Sequence, residues 1–556
     1  MKVVIVGGVA AGPKAASRII RMDPDADVTI FEKGEFLSYA GCGLPYYISG
    51  VVSEQKELMA TPVGAIRDSV FFQNVKNVEV HNRTTVTEVD RENHRAKYVT
   101  EDGTEGYIDY DKLVLATGAN NIKPRLPGIE LGNIFSLKGV EDAESIREQL
   151  SELSARDVVI VGGGLIGIEV TEALVDMGCR VTIIELLPQI LPMLDPEMAG
   201  LVERYLEANG VKVVTGYGVT GFNGDGVVES VSTSNGTYNA EMVILSIGVR
   251  PSVELATGCG LEIGTTGAIK IDEHMRTSDP DIFAVGDCAE KVNIVTGKPC
   301  YVPMGSTANK EGRVAANSIC GIDDTFPGVL GSTVCKVFDF TLARTGLGEK
   351  EAKDAGYDVM TAYAPAPDKA HFMPTAKPIA IKLIADKKTR KLLGAQAVGE
   401  GVADKRMDVA AVAINCGMTV DQVAQLDLTY APPFAPAVDN ILTAANVLRN
   451  KLDGHMTGIM PDEVKKMFDD GVDFQFLDVR SPDEVKQAKI EGSINIPLGK
   501  LRTSLDTLDK NKPVVAYCKI SLRGYEAALI LKHAGFKDVV VMDGGQFMWP
   551  YKTVKV

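Results

Sequence analysis

One stretch of this chain occurs twice. Residues 3–8, VVIVGG, return as VVIVGGG at 158–164, and each copy is a β-branched run that ends in glycines. A helical stretch follows each copy, and a second apolar run then ends in an acid, Glu32 in the first copy and Glu185 in the second. A strand, a glycine turn, a helix and a second strand in this order predict a βαβ unit. The chain is therefore predicted to contain two dinucleotide-binding folds.

The glycines of the first copy are spaced for a phosphate-binding turn. Gly7, Gly8 and Gly12 stand where the backbone must approach a pyrophosphate, and the following helix offers free N–H groups. Val9 replaces the second glycine of the usual G-x-G-x-x-G pattern. Glu32 lies twenty residues after Gly12, a spacing that fits an acid on a ribose hydroxyl.

The second copy matches the glycine pattern in full, with Gly162, Gly164 and Gly167. Glu185 ends the next strand, where an acid favours the free ribose hydroxyls of NADH and repels the extra phosphate of NADPH. No arginine adjoins Glu185 to bind that phosphate, since Arg180 begins the strand instead. The second fold is therefore predicted to prefer NADH.

The net charge, the apolar runs and the cysteine count argue against several classes of function. The 556 residues carry a net charge of −16, which argues against general binding to nucleic acid or acidic membranes. No apolar run is long enough to span a bilayer. Nine scattered cysteines without zinc or thioredoxin spacing are typical of a reducing compartment. We therefore expect a cytoplasmic protein that acts on small molecules and has no metal site.

Two further motifs complete the pattern: KLVLATGAN at 112–120 comes after the first glycine turn, and DIFAVGDCAE at 281–290 comes after the second. With them, residues 1–450 resemble the two-dinucleotide flavoprotein disulfide reductases. The resemblance implies FAD in the first fold and NADH in the second, with Asp287 on the ribityl chain of the flavin. The implied cofactor-binding residues outside the glycine turns are Lys33, Ala116, Thr117, Gly118, Gly248, Gly286 and Asp287.

The segment LSYAGCGLPYY contains one cysteine, Cys42, and the next in the chain is Cys179. A lone thiolate must form a mixed disulfide with a substrate thiol or cycle through sulfenic acid. The segment resembles the single-cysteine branch of the family, most of all the coenzyme A-disulfide reductases. The first chemistry implies a disulfide or persulfide reductase. The second implies an NADH oxidase or peroxidase, which stays open as the alternative.

Coenzyme A is the substrate or thiol carrier that this resemblance implies. Lys14, Arg18 and Arg21 recur at i, i+4 and i+7 on one helix face, and clustered cations suit its phosphates. In the resembling reductases this helix and the serine matching Ser38 contact the cofactor thiol. That branch often has asparagine just before its cysteine, where this chain has Gly41.

The resemblance also implies a homodimer. LTYAPPFAPAVD supplies Tyr430, which matches a tyrosine that reaches the partner subunit's active site. A phenol there can stabilise or protonate a leaving thiolate. A second tyrosine of the branch is absent, because HFMPTAKP has Phe372 and Met373, as in the oxidase branch. This departure keeps the oxidase alternative open.

A second candidate site lies near the C-terminus. YCKISLRGYEAA places Cys518 after an apolar strand and before a helix, with Arg523 five residues later. The N–H groups of such a loop form a nest for an anion, which favours a thiolate. Together with FLDVRSPDEV, IEGSINIP and MDGGQFMW, this loop makes residues 458–556 resemble a rhodanese domain of the sulfurtransferase type.

The predicted fold class is α/β, with two Rossmann-like domains, an α+β dimerisation domain and a C-terminal rhodanese-like domain. The predicted ranges are 1–110 and 246–327 for FAD, 111–245 for NADH with flanking linkers, 328–450 for dimerisation, 450–460 for a linker and 458–556 for rhodanese. The whole chain is similar to coenzyme A-disulfide reductase–rhodanese fusions, which implies NADH-driven reduction of coenzyme A persulfide or disulfide, or of polysulfide. A sulfurtransferase with a flavin scaffold and a redox sensor are the further hypotheses.

Overall fold

The computed structural model describes residues 1–154 and 156–555. These residues form two compact units. The first joins Met1–Pro188 to Gly210–Val329, and the second joins Gln189–Asn209 to the chain from Leu330 onward. In the described part of the chain, no helix has both the length and the apolar character needed to cross a membrane.

The first repeat builds a parallel five-stranded sheet in the first unit. Its strands, in spatial order, are Ile282–Ala284, Lys112–Leu115, Lys2–Val6, Asp27–Phe31 and Glu79–His81. Val3 and Ile5 belong to one core and Val4 and Val6 to another, on the opposite face. Successive strand residues point to opposite faces, so a strand buried on both sides is apolar at every position. The helix Ala11–Met22 follows the glycine turn, as predicted.

The second repeat builds a second parallel sheet. Its strands, in spatial order, are Lys212–Thr215, Arg180–Glu185, Asp157–Val161, Met242–Leu245 and Ile134–Ser136. The helix Leu165–Asp176 starts at its glycine turn. The two predicted βαβ units are therefore confirmed.

The rest of the first unit consists of small antiparallel sheets and short helices. The three-stranded sheets are Thr84–Asp90, Arg95–Thr100 and Glu105–Asp109, and Val219–Asn223, Ser230–Thr233 and Gly236–Asn239. The two-stranded sheets are Ala119–Asn121 with Val249–Pro251, and Lys291–Val292 with Pro299–Cys300. The remaining helices are Leu44–Ile48, Ser69–Lys76, Val140–Glu152, Glu254–Gly258 and Gly305–Ile319, with 3₁₀ turns at Gly41–Gly43, Gln55–Met59 and Gly286–Cys288.

The second unit begins with an antiparallel sheet. Its strands, in spatial order, are Thr333–Val337, Phe340–Gly346, Leu392–Gly399, Pro378–Asp386 and Val359–Pro367. Its helices are Pro196–Ala208, Glu349–Asp354, Asp404–Asn415, Val420–Val423 and Asn440–Leu452. The helix Pro196–Ala208 comes from the segment predicted as part of the NADH domain, but it packs in this unit.

A buried lysine holds that helix in place. The ammonium of Lys382 lies 2.7 Å from the Asp195 carboxylate and 2.8 Å from the Glu349 carboxylate, and it also pairs with Glu197. These three carboxylates could together hold a cation, and the fully buried Lys382 ammonium contacts all three. Because the Lys382 ammonium already contacts all three carboxylates, the cluster is an ion-pair network that joins the inserted segment to the sheet.

A third parallel sheet completes the second unit. Its strands, in spatial order, are Gly458–Ile459, Val539–Met542, Val514–Tyr517, Gln475–Asp478 and Ile494–Asn495. Its helices are Pro461–Asp469, Pro482–Gln487, Leu498–Leu501, Leu522–His533 and Gly545–Met548, with a 3₁₀ turn at Leu505–Thr507. The three parallel sheets with their helices confirm the predicted α/β class, and the antiparallel sheet with its helices confirms the α+β part.

The predicted linker at 450–460 is packed into the second unit. The helix Asn440–Leu452 extends into it, and Gly458–Ile459 joins the last sheet. The Lys451 ammonium lies 2.6 Å from the Asp543 carboxylate, and both side chains are 6% exposed. This one buried ion pair, together with the pairing of Gly458–Ile459 in the sheet, ties the C-terminal sheet to the preceding helix. The other predicted domain boundaries stay predictions.

Candidate functional site

The first glycine turn is shaped by close backbone approach. Gly7 has a φ of +115°, and a Cβ on it would lie 2.1 Å from the Ala116 carbonyl oxygen. A Cβ on Gly12 would lie 1.9 Å from the Gly7 oxygen, so only glycine fits either position. The buried Glu32 carboxylate accepts a hydrogen bond of 2.6 Å from the Gly8 N–H. The acid predicted for a ribose therefore also orders the turn.

The second turn repeats this arrangement. A Cβ on Gly167 would lie 2.4 Å from the Gly162 oxygen. The buried Glu185 carboxylate accepts a hydrogen bond of 2.7 Å from the Gly163 N–H. Gly164, at the helix start, has no atom within 4 Å of its Cβ position, so the backbone is open to a ligand there. Both turns thus fit the pyrophosphate of a dinucleotide.

The third cofactor motif is the turn at Gly286–Cys288, which is hydrogen-bonded to the buried Glu311. Gly286 has a φ of +77°, and its N–H donates to Glu311 at 2.7 Å. The Glu311 oxygen Oε1 is buried without a hydrogen-bond partner and lies 3.3 Å from the Lys291 ammonium, and burial raises the pKa of this carboxyl to about 7. Burial also raises the pKa of Asp287, while Lys291 and Lys138 lower it. The half-buried carboxyl of Asp287, which feels the positive charges of both lysines, is suited to accept a hydrogen bond from a flavin hydroxyl.

The remaining cofactor candidates lie on the turns around this site. The Thr117 hydroxyl donates to the Ser252 carbonyl at 2.7 Å, and Gly118 has a φ of +68° with open space at its Cβ position. Gly248 has a φ of +99°. Lys33 is exposed. Their roles stay predictions.

Cys42 lies on the 3₁₀ turn Gly41–Gly43, directly before the helix Leu44–Ile48. The residue is exposed, but the surrounding protein desolvates the thiol, and this effect raises its pKa. The carboxylates of Glu169 and Asp287 raise it further. A backbone hydrogen bond at Cys42 acts the other way and lowers the pKa, but burial and the two carboxylates outweigh it.

The predicted substrate residues lie on two segments, the helix Ala11–Met22 and the stretch 38–41 that leads into the Cys42 turn. Ser38 has a φ of +47°, and its N–H donates to the Gly8 carbonyl at 2.9 Å, which ties the cysteine segment to the first glycine turn. The Arg18 guanidinium donates to the Asn317 side chain at 2.7 Å and Arg21 donates to its own helix. Among the described residues, Lys14, Arg18 and Arg21 form no ion pair, so their charges are available to an anion.

Tyr430 lines a cavity of about 340 Å³ in the second unit. Its side chain is 53% exposed, and Phe372, 65% exposed, lines the same cavity. His371 also lines it, and its ring packs edge-on against Phe372 at 5.6 Å. Met373 lies in the same loop. The structure therefore brings Tyr430 and Phe372 to one cavity, together with a histidine that the sequence argument did not use.

The C-terminal loop places Cys518 as the sequence predicts. The thiol is buried at the end of the strand Val514–Tyr517, and Arg523 lies in the first turn of the next helix. Arg523 forms a two-fold ion pair of 2.7 Å with Glu484, and its pKa is raised, first by Glu484 and then by Cys518. The Cys518 carbonyl accepts from the Gln546 N–H at 2.8 Å, which closes the loop.

Glu484 is a site residue that the sequence argument missed. Arg523 lowers its pKa to about 2, and the Ser481 N–H and hydroxyl contribute. Ser481 and Glu484 form a capping box at the start of the helix Pro482–Gln487. The S-x-x-E pattern in SPDE was therefore a readable signal for the helix start, but its contact with Arg523 depends on the tertiary fold.

The comparisons with known proteins agree with this arrangement. Residues 1–308 match the family described as pyridine nucleotide-disulphide oxidoreductase. The chain belongs to this family. Residues 332–441 match its dimerisation domain, and residues 460–550 match the rhodanese-like domain. The recognition drawn from the sequence motifs is confirmed.

Three relatives of this oxidoreductase show how far the likeness extends. An NAD(P)H sulfur oxidoreductase (CoA-dependent) of Pyrococcus abyssi is 40% identical over 448 residues, which is 80% of this chain and 98% of that protein. The solved structure of an NAD-dependent persulfide reductase from A. fulgidus is 46% identical, with a TM-score of 0.95 over 99% of this chain and 100% of the other. An NADH oxidase of Methanocaldococcus jannaschii is 35% identical over 81% of this chain and 99% of that protein.

Proposed function

We propose that this chain uses NADH and FAD to reduce a coenzyme A persulfide, a coenzyme A disulfide or a polysulfide at Cys42, and that its C-terminal domain transfers sulfur. The observation that carries the proposal is the combination in one chain of two glycine turns shaped for dinucleotides, the exposed Cys42 and the buried Cys518 before a helix. The whole-chain likeness to a persulfide reductase supports it.

Cys42 is the redox centre in this proposal. Its thiolate attacks the sulfur that is bonded to coenzyme A, the S–S bond breaks, and the terminal sulfur leaves as hydrosulfide. Cys42 then holds coenzyme A as a mixed disulfide. FAD, when bound, supplies the two electrons that come from NADH, and the disulfide returns to the Cys42 thiolate and the free thiol. Each turnover converts one persulfide, one NADH and one proton into a thiol, hydrogen sulfide and NAD⁺.

Coenzyme A would lie along the first helix. Lys14, Arg18 and Arg21 would bind its phosphates, and Ser38 and Gly41 would border its thiol end.

The cofactor residues divide between the two folds. FAD would lie on Gly7, Gly8, Gly12, Glu32, Lys33, Ala116, Thr117, Gly118, Gly248, Gly286 and Asp287. NADH would lie on Gly162, Gly164, Gly167 and Glu185. Two exposed leucines, and no cation, follow Glu185 in the chain, which supports a preference for NADH over NADPH.

Cys518 would receive sulfane sulfur as a persulfide in the loop that Arg523 borders. Sulfur transfer needs no electrons, because the sulfane atom only moves from one thiolate to another. The Lys451–Asp543 pair fixes this domain to the preceding helix, so we propose that a small carrier such as coenzyme A moves the sulfur. The proposed assembly is a homodimer in the cytoplasm, in which Tyr430 completes the partner subunit's site.

A second candidate function is an NADH oxidase or peroxidase. Phe372 in place of the branch's second tyrosine favours it, and a relative of that name covers the reductase part of the chain. Cys42 would then cycle through sulfenic acid.

Steady-state NADH oxidation decides between the two functions. Coenzyme A persulfide, coenzyme A disulfide, polysulfide and oxygen are compared as acceptors under the same conditions. The proposal expects a sulfur acceptor to give at least ten times the kcat/KM of oxygen. A higher kcat/KM with oxygen would assign the chain to the oxidases.

A further inference from the structure

Gly286, which precedes the proposed FAD ligand Asp287, is held through both of its backbone groups. Its N–H donates a hydrogen bond of 2.7 Å to the oxygen Oε2 of Glu311. Its carbonyl accepts a hydrogen bond from the Lys291 ammonium, which also donates to the Ala289 carbonyl at 2.8 Å. Two side chains from outside the turn therefore fix the backbone at the residue before Asp287.

The two side chains that hold Gly286 also form a buried ion pair. The Lys291 ammonium lies 3.3 Å from the oxygen Oε1 of Glu311, and the side chains are 1% and 0% exposed. Apolar side chains of similar volume commonly stabilise a fold as well as a buried ion pair does. Packing alone therefore does not account for Glu311 and Lys291, whereas their hydrogen bonds to the backbone of the turn do.

Close helix packing places Glu311 at this turn. Glu311 lies on the helix Gly305–Ile319, next to Gly312. A Cβ on Gly312 would lie 2.5 Å from the carbonyl oxygen of Ala11, the first residue of the helix that follows the first glycine turn. A Cβ on Gly286 would lie 3.3 Å from the Ala11 Cβ, so the turn contacts the same helix. Glu311 thus lies where the third cofactor motif meets the helix after the first motif.

We propose that Glu311 and Lys291 are a positioning pair for FAD, which holds Gly286 so that the Asp287 carboxylate meets the cofactor. The inference rests on the proposed function, in which Asp287 binds FAD. Because Asp287 directly follows Gly286, a rotation of the Gly286 backbone would displace its carboxylate. The positive charge of Lys291 acts on Asp287 as well.

This charge keeps Asp287 in the form that binds best. Burial raises the pKa of Asp287, and Lys291 lowers it, which favours the ionised carboxylate. A hydrogen bond to an ionised acceptor is roughly twice as strong as one between neutral groups. Lys291 therefore contributes to FAD binding through the turn and through the charge of Asp287.

FAD retention by the full-length holoenzyme tests this role without any turnover. The protein is diluted serially, and the fluorescence of free FAD gives the dissociation constant. We expect Glu311→Ala and Lys291→Met to weaken FAD binding about 10- to 100-fold, which is typical of losing a hydrogen bond to a charged group. Glu311→Gln keeps an oxygen for the Gly286 N–H, so we expect it to weaken binding less than about 10-fold, as for a neutral hydrogen bond.

Two further variants make the measurement specific. Lys270→Met removes an ion pair with Glu262 in the same unit, where both side chains are 60% exposed, and it should leave FAD binding unchanged. Asp287→Asn tests the ligand assignment on which the inference rests, and it should weaken FAD binding. Circular dichroism at the temperature of dilution establishes that each variant is folded.

The outcomes separate this inference from the proposed function. If Asp287→Asn releases FAD while Glu311→Ala and Lys291→Met bind it as tightly as wild type, the positioning role is refuted and the assignment of Asp287 stands. If Asp287→Asn also binds FAD like wild type, both fail.

Two other results also bear on the positioning role. Equal losses in Glu311→Gln and Glu311→Ala would mean that the charge alone matters, which contradicts the hold on Gly286. If Glu311→Ala does not fold, Lys291→Met decides, and wild-type FAD binding in that variant refutes the proposal. Activity as an oxidase would change none of these results, because no electron acceptor enters the measurement.

Discussion

The ion pair between Lys451 and Asp543 gives the sharpest stability prediction. Both side chains are 6% exposed, and their charged atoms lie 2.6 Å apart. Lys451→Met keeps the length of the side chain but leaves the Asp543 carboxylate buried and without its cation. Breaking a buried pair in this way costs about 3–5 kcal/mol of unfolding free energy. A Cβ on Gly458 would lie 2.7 Å from the Lys451 ammonium, so the surrounding backbone leaves little room for water to replace it.

The loss should depend on pH in a defined direction. Burial raises the pKa of Asp543, and Lys451 lowers it, so removing the lysine raises it further. When a carboxyl has a higher pKa in the folded state than in the unfolded state, the protein loses stability as the pH rises above the unfolded pKa, which is near 3.9 for aspartate. The deficit of Lys451→Met should therefore be small at pH 4 and grow toward pH 8.

Urea unfolding measures the effect with two separate probes. Sulfur transfer from thiosulfate reports the C-terminal domain, and flavin bleaching by NADH reports the reductase part. With a denaturant slope of about 1–3 kcal/mol per molar urea, a loss of about 3 kcal/mol moves the first midpoint down by about 1–3 M. Lys465→Met, which removes an exposed i, i+4 pair with Asp469, is the control and should cost less than about 1 kcal/mol. Equal shifts for the two variants would refute the reasoning.

Three further outcomes follow from the sites. NADH should bleach the flavin faster than NADPH, because Glu185 ends the strand after the second glycine turn, where we predict the ribose, and equal rates would contradict this assignment. The pKa of Glu484 is lowered from 4.5 to about 2, first by Arg523, so its ionised form stabilises the folded loop. Wild type should therefore be more stable than Glu484→Gln at neutral pH. This advantage should be lost as the pH falls from about 4.5 through about 2. Sedimentation should show a dimer, and a fully active monomer would remove Tyr430 from a shared site.

The repeats made much of the fold predictable. β-Branched runs, glycine turns and acid-ended strands are local signals, and they identified both parallel sheets and the turns that hold them. The Cys518 loop was equally local, because its strand, cysteine and helix are consecutive. What the sequence did not indicate is that Glu32 and Glu185 also order the glycine turns from within.

The contacts between distant segments could not be predicted. Lys382 meets carboxylates from residues 195–197 and 349, and Lys451 meets Asp543 ninety-two positions later. The hydrophobic periodicity of a sequence does not indicate such pairs, because each pair depends on how whole helices and strands pack together. The segment at 450–460 has the composition of a linker, yet one buried ion pair makes it part of the packed unit. The shared cavity of His371 and Tyr430 could not be predicted either, because the two residues are distant in the sequence.

The central claim is that sulfur is reduced at Cys42, and Cys42→Ser tests it most directly. The variant is mixed anaerobically with NADH, and the flavin spectrum is followed before and after the addition of coenzyme A persulfide. The account predicts that NADH bleaches the flavin at the wild-type rate, that persulfide does not restore the colour, and that no hydrogen sulfide forms. Reoxidation of the flavin by persulfide at the wild-type rate, with release of hydrogen sulfide, would contradict the account.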